Sequence, residues 1–202
     1  MKILRDRLVD RLGPADPTML RPRRVHEVQG AGRRFFALMQ AARIKGPVFW
    51  ILPAHQTEGP MLWGLPDGLA ERLHLVRAKG ETDLLWSAEE ALRSAEVGAV
   101  LAEPEKPLSL TAGRRLQLAA EAGRTLGVML IRQDQGSNAT ETRWQATPLP
   151  SPQADSTRAR WSLIKNKSGT LGEWTVSWDG ASAAFDLVSA TGERCQSAQT
   201  PG

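Results

Sequence analysis

Few residues in this sequence have the type and spacing for chemistry. A glycine turn, Gly30-Ala31-Gly32, stands between the strand-like run Val25–Gln29 and a helical pattern that opens at Arg33. In α/β proteins a turn in that place can cradle phosphate on the N–H groups of the helix N-terminus. The triphosphate cradle needs G-x-x-x-x-G-K-[ST], where the lysine reaches the terminal phosphates and the hydroxyl holds magnesium. Here the run is Gly30-Ala31-Gly32-Arg33-Arg34-Phe35-Phe36, and Gly-Lys occurs nowhere in the chain. The dinucleotide motif G-x-G-x-x-G fails as well, because Phe35 holds the third glycine position. A plain tight turn is the expectation, with Arg33 or Arg34 placed to meet an anion. The segment 97–103 (VGAVLAE) has the outline of a strand ending in a magnesium-binding acid. Without the lysine, Glu103 has no magnesium nucleotide to serve, and it reads as a solvated loop carboxylate.

Other constellations are thinner. His26, His55 and His74 are scattered, and no Gly-x-Ser-x-Gly elbow supplies a nucleophile. Metal-ligand spacings are absent. Cys195 is the one cysteine and has no histidine near it in sequence, so it forms no internal disulfide and makes a poor catalytic thiol. The reading is therefore no catalytic residue, no metal and no cofactor. Trp144, Trp161, Trp174 and Trp178 gather late in the chain. They read first as a cross-strand aromatic core and second as a stacking or docking platform. Arg132, Arg143, Arg158, Arg160, Lys165 and Lys167 lie in the same region and keep single-stranded DNA open as a ligand. The candidates for contact with nucleic acid or a protein partner are Arg33, Arg34, Arg114, Arg115, Arg132 and Arg143. Each has a plain alternative as a solvated surface residue. Arg114 and Arg115 are adjacent on a helical pattern, so only one of them is expected to face a partner.

The elements that must position these residues follow from composition and pattern. The chain has 202 residues, 41% hydrophobic and 24% charged. That is globular composition, and it excludes a disordered chain or a rod. No apolar stretch is long enough to span a bilayer, and the N-terminus does not read as a secretory signal, so the cytoplasm is the expected compartment. Net charge is +4, unevenly spread. Residues 1–50 carry eleven Lys/Arg against four Asp/Glu, and residues 51–110 carry five against ten. The two parts are expected mainly to neutralise each other within one fold.

Leu4, Leu8 and Leu12 share a helical face, and Pro14, Pro17 and Pro22 follow, so residues 1–24 read as a short helix and a tether. Strands are expected at Val25–Gln29, Pro47–Leu52, Leu73–Arg77, Val97–Leu101 and Val128–Ile131. Helices are expected at Arg33–Ile44, from Asp67 through Leu73, at Glu81–Ala95 and at Leu110–Leu126, the last terminated by Gly127. Strands alternating with helices predict a parallel sheet with helices on both faces. After residue 133 the pattern changes to a polar loop at Asp134–Glu141, then strands without helices at Arg143–Thr147, Arg160–Lys165, Glu173–Trp178 and Ser182–Val188. Lys165–Gly172 is the hairpin connection between two of these. The expected organisation is thus 1–24 helix and tether, 25–133 α/β core, 134–189 antiparallel extension of the same domain, and 190–202 flexible tail.

Several runs carry a resemblance to a known family. They are His26-Glu27-Val28, the segments 46–50 (GPVFW) and 85–94 (LWSAEEALRS), and above all 110–123 (LTAGRRLQLAAEAG). Thr142-Arg143-Trp144, Arg160-Trp161-Ser162-Leu163 and 172–176 (GEWTV) fit the same pattern. Over roughly residues 24–188 the chain resembles the ImuA family. That family is similar to the RecA-like ATPase core and to SulA-type cell-division inhibitors, and it is generally degenerate at the nucleotide site. The resemblance implies a RecA-like three-layer α/β fold, with a mostly parallel central sheet and a C-terminal antiparallel extension. It implies a non-catalytic accessory protein of SOS-induced error-prone translesion synthesis. The implied partners are an ImuB-like homologue of Y-family polymerases, an error-prone C-family DNA polymerase and RecA. The alternatives are a RecA-like module binding single-stranded DNA through the loop 134–142, and a SulA-like division inhibitor.

Overall fold

Strands β1 (Val25–Gln29), β2 (Val48–Pro53), β4 (Ala99–Ala102) and β5 (Leu126–Leu130) are almost wholly buried. Their near-continuous apolar sequences suit strands covered on both faces. β3 (Leu73–Ala78) is more exposed and stands at one end of the sheet. The computed structural model describes residues 16–59, 65–66, 68–151, 153–180, 182 and 184–191. The remaining strands are β6 (Thr142–Leu149), β7 (Ser156–Asn166), β8 (Gly172–Asp179) and β9 (Ala184–Thr191). The described strands form one sheet in the order β3-β2-β4-β5-β1-β6-β7-β8-β9. Pairing is parallel from β3 through β6 and antiparallel from β6 through β9. The expected fold, a mostly parallel α/β sheet with antiparallel C-terminal strands, is the one observed.

Helix α1 (Arg33–Ala42) covers one face of the sheet, and α2 (Glu81–Arg93) and α3 (Leu110–Gly123) cover the other. Two cores result. Phe36, Met39, Trp50, Leu101 and Val128 pack under α1, while Leu84, Leu92, Val100, Leu116 and Met129 pack under α2 and α3. The aromatic side chains of the antiparallel strands extend the first core. Phe36 lies edge-on to Trp161 with ring centres 4.6 Å apart, and Trp161 meets Phe185 at 5.4 Å. Trp144 and Trp174 meet at 5.5 Å. Trp144, Trp161 and Trp178 are buried, so these tryptophans are core rather than a stacking surface.

Several expected boundaries move. Helix α3 ends at Gly123, not Leu126, and Gly127 does not terminate it. The stop is Arg124, which takes the left-handed conformation (φ 59°) and donates its N–H to the carbonyls of Ala120 and Glu121. Gly127 instead lies inside β5 beside Val25. Gly123 ends the helix against α2, where a Cβ would fall 2.1 Å from the Leu92 carbonyl oxygen. Helices α1 and α2 stop two residues short of expectation, at Ala42 and Arg93. Before β3 the described chain shows only a single 3₁₀ turn at Ala70–Arg72, with Leu69 rather than an acidic residue at its cap. Asp67, the leucines at 4, 8 and 12, and Cys195 lie outside the described residues.

The segment before β1 is tied to α1. Gln40 accepts from the Leu20 N–H at 3.3 Å and donates to the Thr18 carbonyl at 2.9 Å. Asp16 stands 2.9 Å from Arg43, and both side chains are buried. Burial pushes the Arg43 guanidinium below its ordinary range, and Asp16 opposes that shift.

His26, inside β1, has a definable protonation state. Its Nε2–H donates to the Arg21 carbonyl at 2.9 Å, and its Nδ1 accepts from the Thr142 hydroxyl at 2.7 Å. The Thr142 hydroxyl in turn accepts from the Trp144 indole N–H at 2.9 Å, which leaves its own proton for His26. Burial pushes the imidazole down to about 4, aided by the charges of Arg21 and Arg24 and opposed by the hydrogen bond to Arg21. The unfolded chain therefore binds a proton that the folded chain refuses between about pH 6.5 and 4. Stability is expected to fall by about 3 kcal/mol as pH drops through that window. Urea midpoints at several pH values, compared with those of His26→Gln, isolate this contribution. An unchanged difference between the two proteins across the window would refute it.

Candidate interaction site

The carboxyl ends of parallel strands are the usual place for ligands in such sheets, and three of the six candidate arginines lie there. Arg33 and Arg34 open α1, and Arg132 follows β5. Arg34 makes a two-pronged contact with Glu103 at the end of β4, Nε at 2.8 Å and Nη2 at 3.2 Å. Glu103 also accepts from the Trp50 indole at 3.1 Å and from Gln56 at 3.4 Å. It is 6% exposed, which corrects the expectation of a solvated carboxylate. Trp50 and Arg34 close over it, with the guanidinium 5.8 Å from the indole centre. Arg132 stands 3.5 Å from Glu105, which also lies 3.3 Å from His55.

The glycine turn beside these groups is filled by its own chain. The Gly32 N–H donates to the Ala146 carbonyl at 3.0 Å, and the Arg33 N–H donates to the Gly30 carbonyl at 3.2 Å. Gly30 has φ 92°, and a Cβ there would sit 2.5 Å from the Ala146 oxygen. Thus β6 presses on the turn, and its carbonyl takes a donor that a phosphate would need. Arg33 donates to the Gly30 carbonyl at 3.3 Å.

Arg143 and Arg115 lie elsewhere. Arg143 is on β6 opposite Glu27, whose carboxylate is fully buried. Its Nε donates to Glu27 at 2.9 Å, and the other Glu27 oxygen accepts the Ser137 N–H at 2.7 Å. Lys165 donates to the Ser137 and Thr140 carbonyls at 3.1 Å and 2.7 Å, and Lys167 to the Ala139 carbonyl at 2.7 Å. Burial holds the Lys165 ammonium below its ordinary value, with Glu27 opposing and Arg143 adding to the shift. The loop expected at Asp134–Glu141 is present, and these contacts fasten it to the sheet. Arg115, on α3, reaches Glu89 of α2 at 2.7 Å, while its neighbour Arg114 is exposed.

The structure therefore brings Arg33, Arg34 and Arg132 to one end of the sheet and leaves Arg114, Arg115 and Arg143 apart. Arg34, Arg115, Arg132 and Arg143 each face a carboxylate. Glu27 and Glu89 were not singled out from the sequence. An acid at an interior strand position, as in Val25-His26-Glu27-Val28, was the available signal for Glu27, because a buried charge needs a partner.

Among the described residues no group of three or more His, Cys, Asp or Glu side chains is arranged to hold a metal ion. No described helix is long and apolar enough to cross a membrane. No protein-family model matches the chain. It is 38% identical over 124 residues to Protein ImuA from two strains of Caulobacter vibrioides. The match covers 53% of this chain and 50% of each relative, so it spans about half the length of these curated relatives. The resemblance to the ImuA family read from the sequence is borne out: over the matched stretch this chain is similar to the ImuA proteins.

Proposed function

We propose that the protein is a non-catalytic accessory factor of SOS-induced translesion DNA synthesis. In this role it acts as an adaptor between an ImuB-type polymerase homologue, an error-prone C-family polymerase and RecA. The observation that carries the reading is the 38% identity to ImuA proteins. The filled glycine turn supports the non-catalytic part. In a degenerate RecA-like core the β1–α1 connection is where triphosphate would sit. Here only three residues separate strand from helix, no lysine follows, and Ala146 takes the Gly32 N–H. The fastened loop and the carboxylate-paired arginines favour this adaptor role over direct contact with single-stranded DNA.

Co-expression with the ImuB homologue of the same organism tests the proposal. A stable complex at micromolar concentration is expected, and melting temperature should stay flat on adding ATP and magnesium. Absence of a complex, or magnesium-dependent ATP turnover by the purified chain, would overturn it.

A further inference from the structure

Among the described residues the two most exposed large apolar side chains are Leu118 on α3, at 65%, and Trp86 on α2, at 61%. Each lies two residues, about 200° of helical turn, from a leucine of the buried stripe, Leu116 and Leu84. Both therefore point away from the sheet, on the outer surface of one helical layer. Helix α2 joins β3 to β4 and α3 joins β4 to β5, and these strands are parallel, so the two helices run the same way. Gly123 meets α2 at the Leu92 carbonyl, which sets the helices in step. Counting back from that contact, at about 1.5 Å of rise per residue, brings Trp86 level with Gln117 and Leu118, and Asp83 level with Arg114.

The charges of this layer are divided. Arg115 is taken up by Glu89 across the helices, and Arg93 by Glu89 and Glu90. Asp83 and Arg114 are left over: both are exposed, and among the described residues neither has an ion-pair partner. Asp83 lies one turn before Trp86, and Arg114 one turn before Leu118. The layer thus shows a free acid and an aromatic ring on α2, and at matching heights a free cation and a leucine on α3.

We propose that the outer face of α2 and α3 is the interface of a two-fold dimer of this chain. A two-fold axis running along the helices, between them and above the layer, lays α2 of each copy over α3 of the other and keeps every height unchanged. Trp86 of one copy then meets Leu118 of the other, and Asp83 meets Arg114, each contact occurring twice. Further along, Glu90 and Arg93 come level with Glu121 and Arg124, where opposite charges pair diagonally. Other occupants match the face less well. Asp83 and Glu90 flank Trp86 and repel a polyanion, and a partner of one sign meets like charge on one helix or the other. An exposed tryptophan beside a partner-ready cation is the composition of an interface centre. The inference is independent of the adaptor reading.

Sedimentation equilibrium of the full chain tests it. The native chain should dimerise reversibly, with a dissociation constant on the order of 10 µM. Trp86→Ser should raise that constant about tenfold or more. Asp83→Arg and Arg114→Asp each set like charges against each other at both contacts, so each variant alone should sediment as a monomer. A one-to-one mixture of these two variants again places an acid opposite a cation at both contacts, and it should recover the dimer. No contact within a single chain can produce that recovery. Circular dichroism should show every variant folded, since the altered side chains are exposed. A native chain that stays monomeric to about 100 µM would overturn the proposal. So would a dimer indifferent to Trp86→Ser, or a mixture that fails to recover it. Oligothymidylate bound by a monomeric native chain and released by Trp86→Ser would overturn it in favour of single-stranded DNA.

Discussion

Replacing Glu27 with alanine is expected to cost about 3–5 kcal/mol of folding stability, the range found when one member of a buried ion pair is removed. The carboxylate is fully buried and satisfies two donors, the Arg143 guanidinium at 2.9 Å and the Ser137 N–H at 2.7 Å. Its removal strands a largely buried cation and orphans an amide together. Removing both charges is a different experiment. In Glu27→Leu with Arg143→Met the stranded cation disappears and only the Ser137 N–H is left unpaired, a cost of about 1–3 kcal/mol. The double variant should therefore be more stable than Glu27→Ala, although it carries one more substitution. Urea unfolding followed by circular dichroism measures both. A loss below about 1 kcal/mol for Glu27→Ala would mean that the carboxylate does not hold the loop.

The same cluster shows what the sequence makes legible. The parallel strands were readable because burial on both faces imposes continuous apolar runs, as in Val100-Leu101-Ala102. The α2 and α3 patterns were readable because each helix buries a single stripe, such as Leu84, Ala88 and Leu92. Helix ends were less so. Gly127 looks like a stop, but Arg124 takes the left-handed cap, and nothing in an arginine announces that conformation. The pairing of charges was the least legible. Arg34 and Glu103 are 69 residues apart and Glu27 and Arg143 are 116 apart, so only the sheet order brings them together. The candidate arginines were chosen by charge, and the fold gives four of them carboxylate partners.

Trp161→Ala is expected to destabilise the fold by about 3–5 kcal/mol, the cost of emptying a large aromatic site in a core. The side chain is fully buried where the antiparallel strands meet α1, and it touches Phe36 on the helix and Phe185 on β9. Both ring pairs would be lost, each worth about 0.5–1.5 kcal/mol beyond area burial. Trp161→Phe separates packing from polarity. Among the described residues the indole N–H has no hydrogen-bond partner, so the native side chain already bears the cost of an unsatisfied buried donor. Phenylalanine removes that donor and keeps part of the ring contact, so it should cost less than about 2 kcal/mol despite the smaller ring. Equal losses in the two variants would show that the indole N–H is satisfied in solution, and that its hydrogen bond, not the packing of the ring, joins the antiparallel strands to the helix.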